Sequence, residues 1–127
     1  MLLLEMGLPG WEIRILGTDL NSQILQRARA GRYLQIEVAR GLPPQHLSKY
    51  FHRAGAEWQL TERVHEMVKF EQFDLRQNIR TLGVFDLVLC RNVLIYFDVE
   101  TKKKILADIR GVLASVDICC SAAPKPR

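Results

Sequence analysis

The sequence has few cysteines, and none lies in a pattern that holds a disulfide framework or a zinc ion. The three cysteines are an odd number, two of them are adjacent at Cys119 and Cys120, and no C-x-x-C pair is present. The three histidines lack the spacing of metal ligands, and His65-Glu66 has no second histidine to complete an H-E-x-x-H motif. We therefore predict neither a disulfide framework nor a metal site.

Long apolar runs are also missing. No run reaches the ~18 residues that cross a bilayer, and the opening Met1 to Leu4 lacks the basic flank and the length of a signal peptide. A net charge of +4 over 127 residues is too small to indicate a nucleic-acid partner. The hydrophobic fraction of 48% is typical of a globular domain. We predict a cytoplasmic domain without membrane insertion or nucleic-acid binding.

Strand and helix patterns alternate in the first part of the chain. A helix end before Gly7 is followed by a β-branched, apolar segment over 11–18, which predicts a strand. Asn21 or Ser22 then caps a helix that ends at Gly31, because glycine adopts the left-handed conformation at a helix end without strain. A further strand is predicted at Met67 to Phe70.

The second part of the chain repeats this alternation. The segment 85–90 is apolar at nearly every position, which predicts a strand buried on both faces and hence a parallel sheet. Asp98 caps a helix whose apolar residues recur at helical spacing. Strands alternating with amphipathic helices predict an α/β fold with a doubly wound, mainly parallel sheet.

Two segments depart from this pattern. Periodicity is lost between the helix that ends at Gly31 and the strand at Met67, and we interpret residues 32–66 as a small inserted subdomain with short strands of its own. The end of the chain, 114–127, has no matching pattern, and we predict a divergent, disordered tail there.

Two carboxylates follow predicted strands, at the edge where doubly wound sheets bind ligands. Asp19 has two acceptor oxygens that suit the two hydroxyls of a ribose, but it fits a turn before the next helix equally well. Asp74, next to Leu75, would accept a hydrogen bond from an adenine amino group. The alternative for Asp74 is a solvated loop residue.

A third group follows the apolar strand. Arg91 and Asn92 come directly after it, and Tyr96 follows another apolar trio. A guanidinium at the end of a buried strand needs an anionic partner, and its planar fork suits a substrate carboxylate. An ion pair with Asp86 or Asp98 is the alternative.

Residues 16–33 and 85–98 resemble the CheR family of chemotaxis protein methyltransferases, the second stretch with its run FDLVLCRNVLIYFD being the more specific. The stretch 42–51 is similar to the one that precedes the family's small β-subdomain. The resemblance implies a partial, Rossmann-like methyltransferase domain over 1–127. It also implies methyl transfer from S-adenosylmethionine to glutamate side chains of chemoreceptors, with S-adenosylhomocysteine as the product.

The resemblance also implies roles for single residues. Asp19 would hold the ribose hydroxyls, and Asp74 and Leu75 would lie beside the adenine. Arg91 and Asn92 would border the cofactor, and Arg91 and Tyr96 the reacting methyl and carboxylate groups. The glutamate carboxylate is already a nucleophile, so positioning matters more than a strong base.

The resemblance begins after the family's glycine-containing cofactor loop and first strand, so we expect weak or absent activity from this chain alone. A second hypothesis is a non-catalytic remnant in which residues 32–66 bind a receptor tail or another partner by edge-strand addition. A nicotinamide-dependent oxidoreductase ranks last, because it needs a Gly-x-Gly-x-x-Gly turn that this chain does not contain.

Overall fold

The computed structural model of the protein describes residues 1–114 and 119–120. Most of the tail predicted over 114–127 therefore lies outside the described residues. The chain divides into two units, Met1–Phe73 and Asp74–Arg127. In the described part of the chain, no helix has both the length and the apolar character needed to cross a membrane.

The first unit begins with two helices and a strand whose ends the sequence largely predicts. Helix α1 spans Leu2–Glu5, strand β1 spans Ile15–Asp19, and helix α2 spans Ser22–Ala30. The Asn21 side chain caps α2 by accepting hydrogen bonds from two backbone N–H groups, and Gly31 ends it in the left-handed conformation (φ 63°). The strand starts later than predicted, and Trp11 is 71% exposed.

A small antiparallel sheet follows α2. Its strands are β2, β3 and β4, in the order β2-β4-β3, and helices α3, α4 and α5 accompany it. In chain order the elements are β2 (Arg32–Leu34), α3 (Gln35–Ala39), α4 (Pro44–Tyr50), β3 (Phe51–Ala54), β4 (Glu57–Leu60) and α5 (Glu62–His65). Buried side chains from α3, α4, β3 and α5 form a core, namely Val38, Tyr50, Phe51 and Val64. Short strands were predicted here, but the domain boundary at 32–66 stays a prediction.

The last carbonyls of α2 are hydrogen-bonded from the far end of this small sheet. The Leu60 N–H donates to the Gly31 carbonyl at 2.9 Å, and the Gln59 Nε2 donates to the Ala30 carbonyl at 3.0 Å. The His65 Nε2 donates to the Arg29 carbonyl. The sheet is thus fastened to the end of the helix from which the chain enters it.

Strand β5 (Val68–Gln72) then pairs with β1 in parallel, which confirms the predicted parallel pairing. Gly17 lies opposite Phe70 in this register, and a Cβ atom at residue 17 would lie only 2.8 Å from the Phe70 ring carbons Cδ1 and Cε1. The close approach of this ring explains the glycine. Beyond the strand, the Phe73 N–H donates to the Asp19 carbonyl at 3.0 Å.

The second unit contains the predicted long helix. A 3₁₀ turn at Ile79–Leu82 precedes β6 (Val88–Leu89), and another at Leu94–Tyr96 precedes α6 (Val99–Val112). The Asp98 side chain caps α6 by accepting from the Thr101 N–H at 2.7 Å. The apolar stripe of this helix is buried at Ile105, Ile109 and Val112.

Strand β6 pairs in parallel with β7 (Cys119–Cys120). The prediction that this segment is buried on both faces is wrong. Cys90 is buried, whereas Leu87 is 48% exposed and Leu89 is 72% exposed. Successive side chains of a strand point to opposite faces, and the described residues leave the face with Leu87 and Leu89 open. The fold is therefore mixed α/β with two parallel strand pairs.

Candidate functional site

Asp19 stands at the carboxyl end of β1, in the first unit. Its Oδ1 accepts a hydrogen bond from the Asn21 N–H at 2.7 Å, so the carboxylate does take part in the turn that leads into α2. Asn21, not Asp19, caps that helix. Among the described residues no donor reaches the Asp19 Oδ2. A half-buried carboxylate with an acceptor atom left over fits a ligand hydroxyl, so the turn role and the ribose role are compatible.

Asp74 begins the second unit, and its carboxylate faces Arg76. Oδ1 accepts from the Arg76 N–H at 2.9 Å and from Nε at 3.0 Å, while Oδ2 accepts from Nε at 3.0 Å and from Nη2 at 2.5 Å. The Arg76 guanidinium, more than any other group, lowers the pKa of Asp74 to about 2. Asp74 is thus an ion-paired residue rather than a solvated one.

The turn that carries Asp74 is held by further contacts. The Gln77 N–H donates to the Asp74 carbonyl at 2.9 Å, which closes the turn. The Lys104 Nζ on α6 lies 3.4 Å from the Arg76 carbonyl oxygen and 2.8 Å from the Asp108 Oδ2. Leu75 is half-buried between these anchored residues. The backbone of this turn is therefore fixed on both sides of Leu75.

The third group lies between β6 and α6. Arg91 and Asn92 are exposed, and the Tyr96 side chain is 80% exposed. Asn92 has φ 59°, the left-handed conformation, and it is the non-glycine residue with positive φ in the described part of the chain. A left-handed backbone at a non-glycine residue is uncommon and occurs often at functional sites. Asn92 thus marks this loop as a candidate site by a signal that the sequence does not show.

The ion-pair alternative for Arg91 is wrong. Within the described residues, no carboxylate oxygen lies within 4 Å of the Arg91 guanidinium, and Asp98 is engaged as the cap of α6. The hydrogen bond from the Thr101 N–H, above all, holds the pKa of Asp98 below its usual value. Arg91 therefore presents an exposed planar cation, which suits a carboxylate or another anionic group.

The structure places Asp19 in the first unit and the other residues that sequence reasoning identified in the second, namely Asp74, Leu75, Arg91, Asn92 and Tyr96. Sequence reasoning identified these residues without dividing the chain in this way. Sequence reasoning missed Arg76. Its position two residues after Asp74, within a turn, is the feature of the sequence that could have identified it. The structure brings no three His, Cys, Asp or Glu side chains of the described residues into a group that could hold a metal ion.

Comparisons with known proteins identify the family of the chain. The chain matches the family described as CheR methyltransferase, SAM binding domain, over residues 1–116. It is 40% identical over 102 residues to chemotaxis protein methyltransferase 1 of Pseudomonas aeruginosa, covering 80% of this chain and 37% of the relative. It is 39% identical over 101 residues to chemotaxis protein methyltransferase Cher2 of Pseudomonas putida, covering 79% and 37%.

The match to the chemotaxis protein methyltransferase of Vibrio parahaemolyticus is 36% over 102 residues, with 80% of this chain and 37% of the relative covered. The chain thus spans little more than a third of the length of these relatives. Because the family match covers most of the chain, the protein belongs to the CheR methyltransferase family, as its SAM-binding domain.

Proposed function

We propose that this chain is the cofactor-binding part of a methyltransferase that converts glutamate side chains of chemoreceptors into methyl esters. The observation that carries the proposal is the half-buried Asp19 carboxylate at the end of a parallel strand, in a chain that matches a SAM-binding family. The substrate class comes from relatives named chemotaxis protein methyltransferases.

Each candidate residue has a part in this proposal. Asp19 would accept hydrogen bonds from the ribose hydroxyls, since its Oδ2 has no donor among the described residues. Asp74 and Leu75 would lie beside the adenine, on the turn that Arg76 and Lys104 anchor. Arg91, Asn92 and Tyr96 would border the cofactor and the incoming glutamate.

The methyl transfer requires little more than alignment of the substrate carboxylate with the methyl group. S-adenosylmethionine supplies a methyl group on a sulfonium, which leaves as a neutral thioether. Arg91 would pair with the substrate carboxylate and hold one of its oxygens towards the methyl carbon. Tyr96 would lie against the same groups and help to exclude water. No proton has to move, because the glutamate carboxylate is already ionised, so the reaction needs no general base.

The fold that we propose for the whole enzyme is a doubly wound, Rossmann-like sheet. The two parallel pairs, β1 with β5 and β6 with β7, support it. Residues 1–127 would form part of this domain, with 32–66 as the inserted subdomain and 114–127 as the divergent tail. We further propose a cytoplasmic protein whose substrates are the cytoplasmic glutamates of receptors.

The alternative is a partner-binding remnant without catalysis. One observation favours it: β3 is an edge strand of the small sheet, and its outer side pairs with no strand of the described residues. An extended segment such as a receptor tail would add to such an edge by backbone hydrogen bonds.

Calorimetric titration of the chain with S-adenosylhomocysteine tests the proposal, and Asp19→Asn is the variant to compare. A hydrogen bond to a charged group changes an equilibrium by roughly 10- to 100-fold, so the variant should bind that much more weakly. Asp86→Asn is the matched control, because Asp86 is exposed and has no partner among the described residues.

Methyl ester formation on a receptor fragment, followed by mass spectrometry, then tests the substrate. A folded chain that does not bind S-adenosylhomocysteine overturns the proposal. If that chain still binds a receptor tail, the alternative of a partner-binding remnant without catalysis is correct. If both Asp19→Asn and Asp86→Asn leave the affinity unchanged, the ribose does not lie at Asp19.

A further inference from the structure

The carboxylate of Asp74 is held from one side by the planar guanidinium of Arg76. The Arg76 Nη2 lies 2.5 Å from Oδ2, and the single hydrogen of Nε is shared between Oδ1 and Oδ2, each 3.0 Å away. The backbone N–H of Arg76 donates to Oδ1 at 2.9 Å. The torsion that turns a carboxylate is otherwise soft, so these three hydrogens set the direction in which the two oxygens point.

These contacts leave the carboxylate able to accept a further hydrogen bond. A carboxylate offers about four acceptor positions, two on each oxygen. Oδ1 receives the backbone N–H in addition to the guanidinium, so the position left over lies on Oδ2. The Asp74 side chain is 19% exposed, so part of it remains accessible to a ligand.

The backbone beneath this ion pair is fixed as well. The Gln77 N–H donates to the Asp74 carbonyl at 2.9 Å, and the Lys104 Nζ donates to the Arg76 carbonyl at 3.4 Å. Lys104 is itself paired with the Asp108 Oδ2 at 2.8 Å on the same helix. Because both partners of the ion pair stand on an anchored turn, the remaining acceptor position of Oδ2 has its direction before any ligand binds.

We propose that Arg76 is a positioning residue that turns the Asp74 carboxylate so that Oδ2 accepts a hydrogen bond from the amino group of the cofactor's base. The inference rests on the proposed function, which places Asp74 and Leu75 beside the adenine. Arg76 acts through the orientation of Asp74 and does not contact the ligand. An acceptor that is oriented in advance loses less freedom on binding. It therefore favours a 6-amino purine, which donates at that position, over a 6-oxo purine, which presents another acceptor there.

The orientation of Asp74 depends on Arg76, whereas its charge at neutral pH does not. The pKa of the Asp74 carboxyl is about 2 beside the guanidinium, and the usual value of 3.8 is also far below neutral pH. In Arg76→Gln the carboxylate thus stays ionised, keeps only the N–H of residue 76, and is free to turn and to be hydrated. Arg76→Lys retains the positive charge, but an ammonium group has no planar fork. The Arg76 side chain is 64% exposed, so neither substitution leaves a buried cavity.

Calorimetric titration at neutral pH compares the dissociation constants of S-inosylhomocysteine and S-adenosylhomocysteine. For the natural chain we expect the inosyl compound to bind more weakly by about tenfold or more, the effect of one hydrogen bond to a charged acceptor. Arg76→Gln and Arg76→Lys should both bring this ratio down to within a few-fold, because the carboxylate loses its orientation. Asp74→Ala should do the same, because the acceptor itself is removed.

A matched control comes from the first unit. Arg14 donates from Nε and Nη2 to the Glu12 Oε1, an exposed pair with the same two-residue spacing. Arg14→Gln should keep the natural ratio. Titration of the Asp74 carboxyl by NMR supplies a measurement without ligand. Its pKa should rise from about 2 towards 3.8 in Arg76→Gln and stay at about 2 in Arg14→Gln. An unchanged pKa in Arg76→Gln would show that the guanidinium does not hold this carboxylate in solution, which overturns the inference.

The outcomes separate this inference from the proposed function. If the natural chain binds neither ligand, both fail together. If it binds both ligands and Asp74→Ala leaves the ratio unchanged, the proposed place of Asp74 beside the base is wrong, and the inference falls with it. If Asp74→Ala lowers the ratio but the two Arg76 variants keep it, only this inference fails. A ratio that is lost in Arg76→Gln and kept in Arg76→Lys would show that charge acts in place of orientation, which also overturns the inference.

Discussion

Gly17 offers a test of the β1–β5 pairing through a single methyl group. In the parallel register, a Cβ atom at residue 17 would lie 2.8 Å from two ring carbons of Phe70. Atoms at that distance overlap, so Gly17→Ala forces the ring or the strand to move. Phe70→Val removes the ring and keeps a β-branched residue that suits a strand.

The expected free energies follow from two opposing effects. Alanine replaces glycine in a strand interior with a gain of roughly 0.5–1 kcal/mol, because the unfolded chain loses freedom. Overpacking costs roughly 1–3 kcal/mol. Gly17→Ala should therefore lower the free energy of unfolding by up to about 2.5 kcal/mol in the natural chain. In the Phe70→Val background the same change should raise it by about 0.5–1 kcal/mol.

Urea unfolding followed by tryptophan fluorescence suits this test, because both tryptophans, Trp11 and Trp58, belong to the first unit. The double-mutant cycle over Gly17 and Phe70 then isolates their interaction. A reversal of sign between the two backgrounds would confirm the register. If Gly17→Ala were as stabilising in the natural chain as in the Phe70→Val background, the argument from the ring contact would be wrong.

Three further predictions concern the second unit. Ile105→Ala, at a fully buried position, should lower the free energy of unfolding by about 2–5 kcal/mol, measured by urea unfolding with circular dichroism. Leu106→Ala, at a 41% exposed position, should change it by no more than about 0.5 kcal/mol. Asn92→Gly should keep the natural stability and Asn92→Ala should lose about 1 kcal/mol, since alanine resists the left-handed conformation; equal losses in unfolding experiments would contradict this. The lowered pKa of Asp74 implies stability that is present above its usual value of 3.8 and is lost as pH falls towards about 2. The free energy of unfolding of Asp74→Asn, measured as a function of pH, should not show this loss. A pH profile identical to that of the natural chain would refute the stabilising role of the Asp74 carboxylate.

The parts of the fold that were predicted from sequence are those that depend on neighbouring residues. Asp98 was predicted as a cap residue, Asn21 as one of two candidates with Ser22, and Gly31 as a helix end, because cap chemistry needs only a few residues on either side. The parallel pairing followed from the alternation of strands and helices. In each case the physical cause lies within one element or its connection to the next.

Burial could not be predicted in the same way, because it depends on elements far along the chain. The apolar side chain of Ile24 on α2 is 52% exposed, and Leu89 is 72% exposed on a strand that was predicted to be buried on both faces. Apolar composition shows only that burial is favourable, and another element must supply the covering surface.

The candidate site shows the same limit. Sequence position identified Asp74 as a strand-end carboxylate, but the turn closed by Gln77 brings the Arg76 guanidinium back onto it. The left-handed Asn92 likewise depends on how the loop leaves β6. Both are properties of backbone geometry, which residue types alone leave open.

The hydrogen bonds that tie Leu60, Gln59 and His65 to the end of α2 have an evolutionary consequence. The chain enters and leaves the small sheet at one fastened point, so insertions and deletions between Arg32 and Gln59 need not alter the spacing of β1 and β5. We expect the small sheet to tolerate change in length and in its exposed surface, while β1, which carries Asp19, keeps its register with β5. The small sheet and the strand pair would then evolve separately within a single chain.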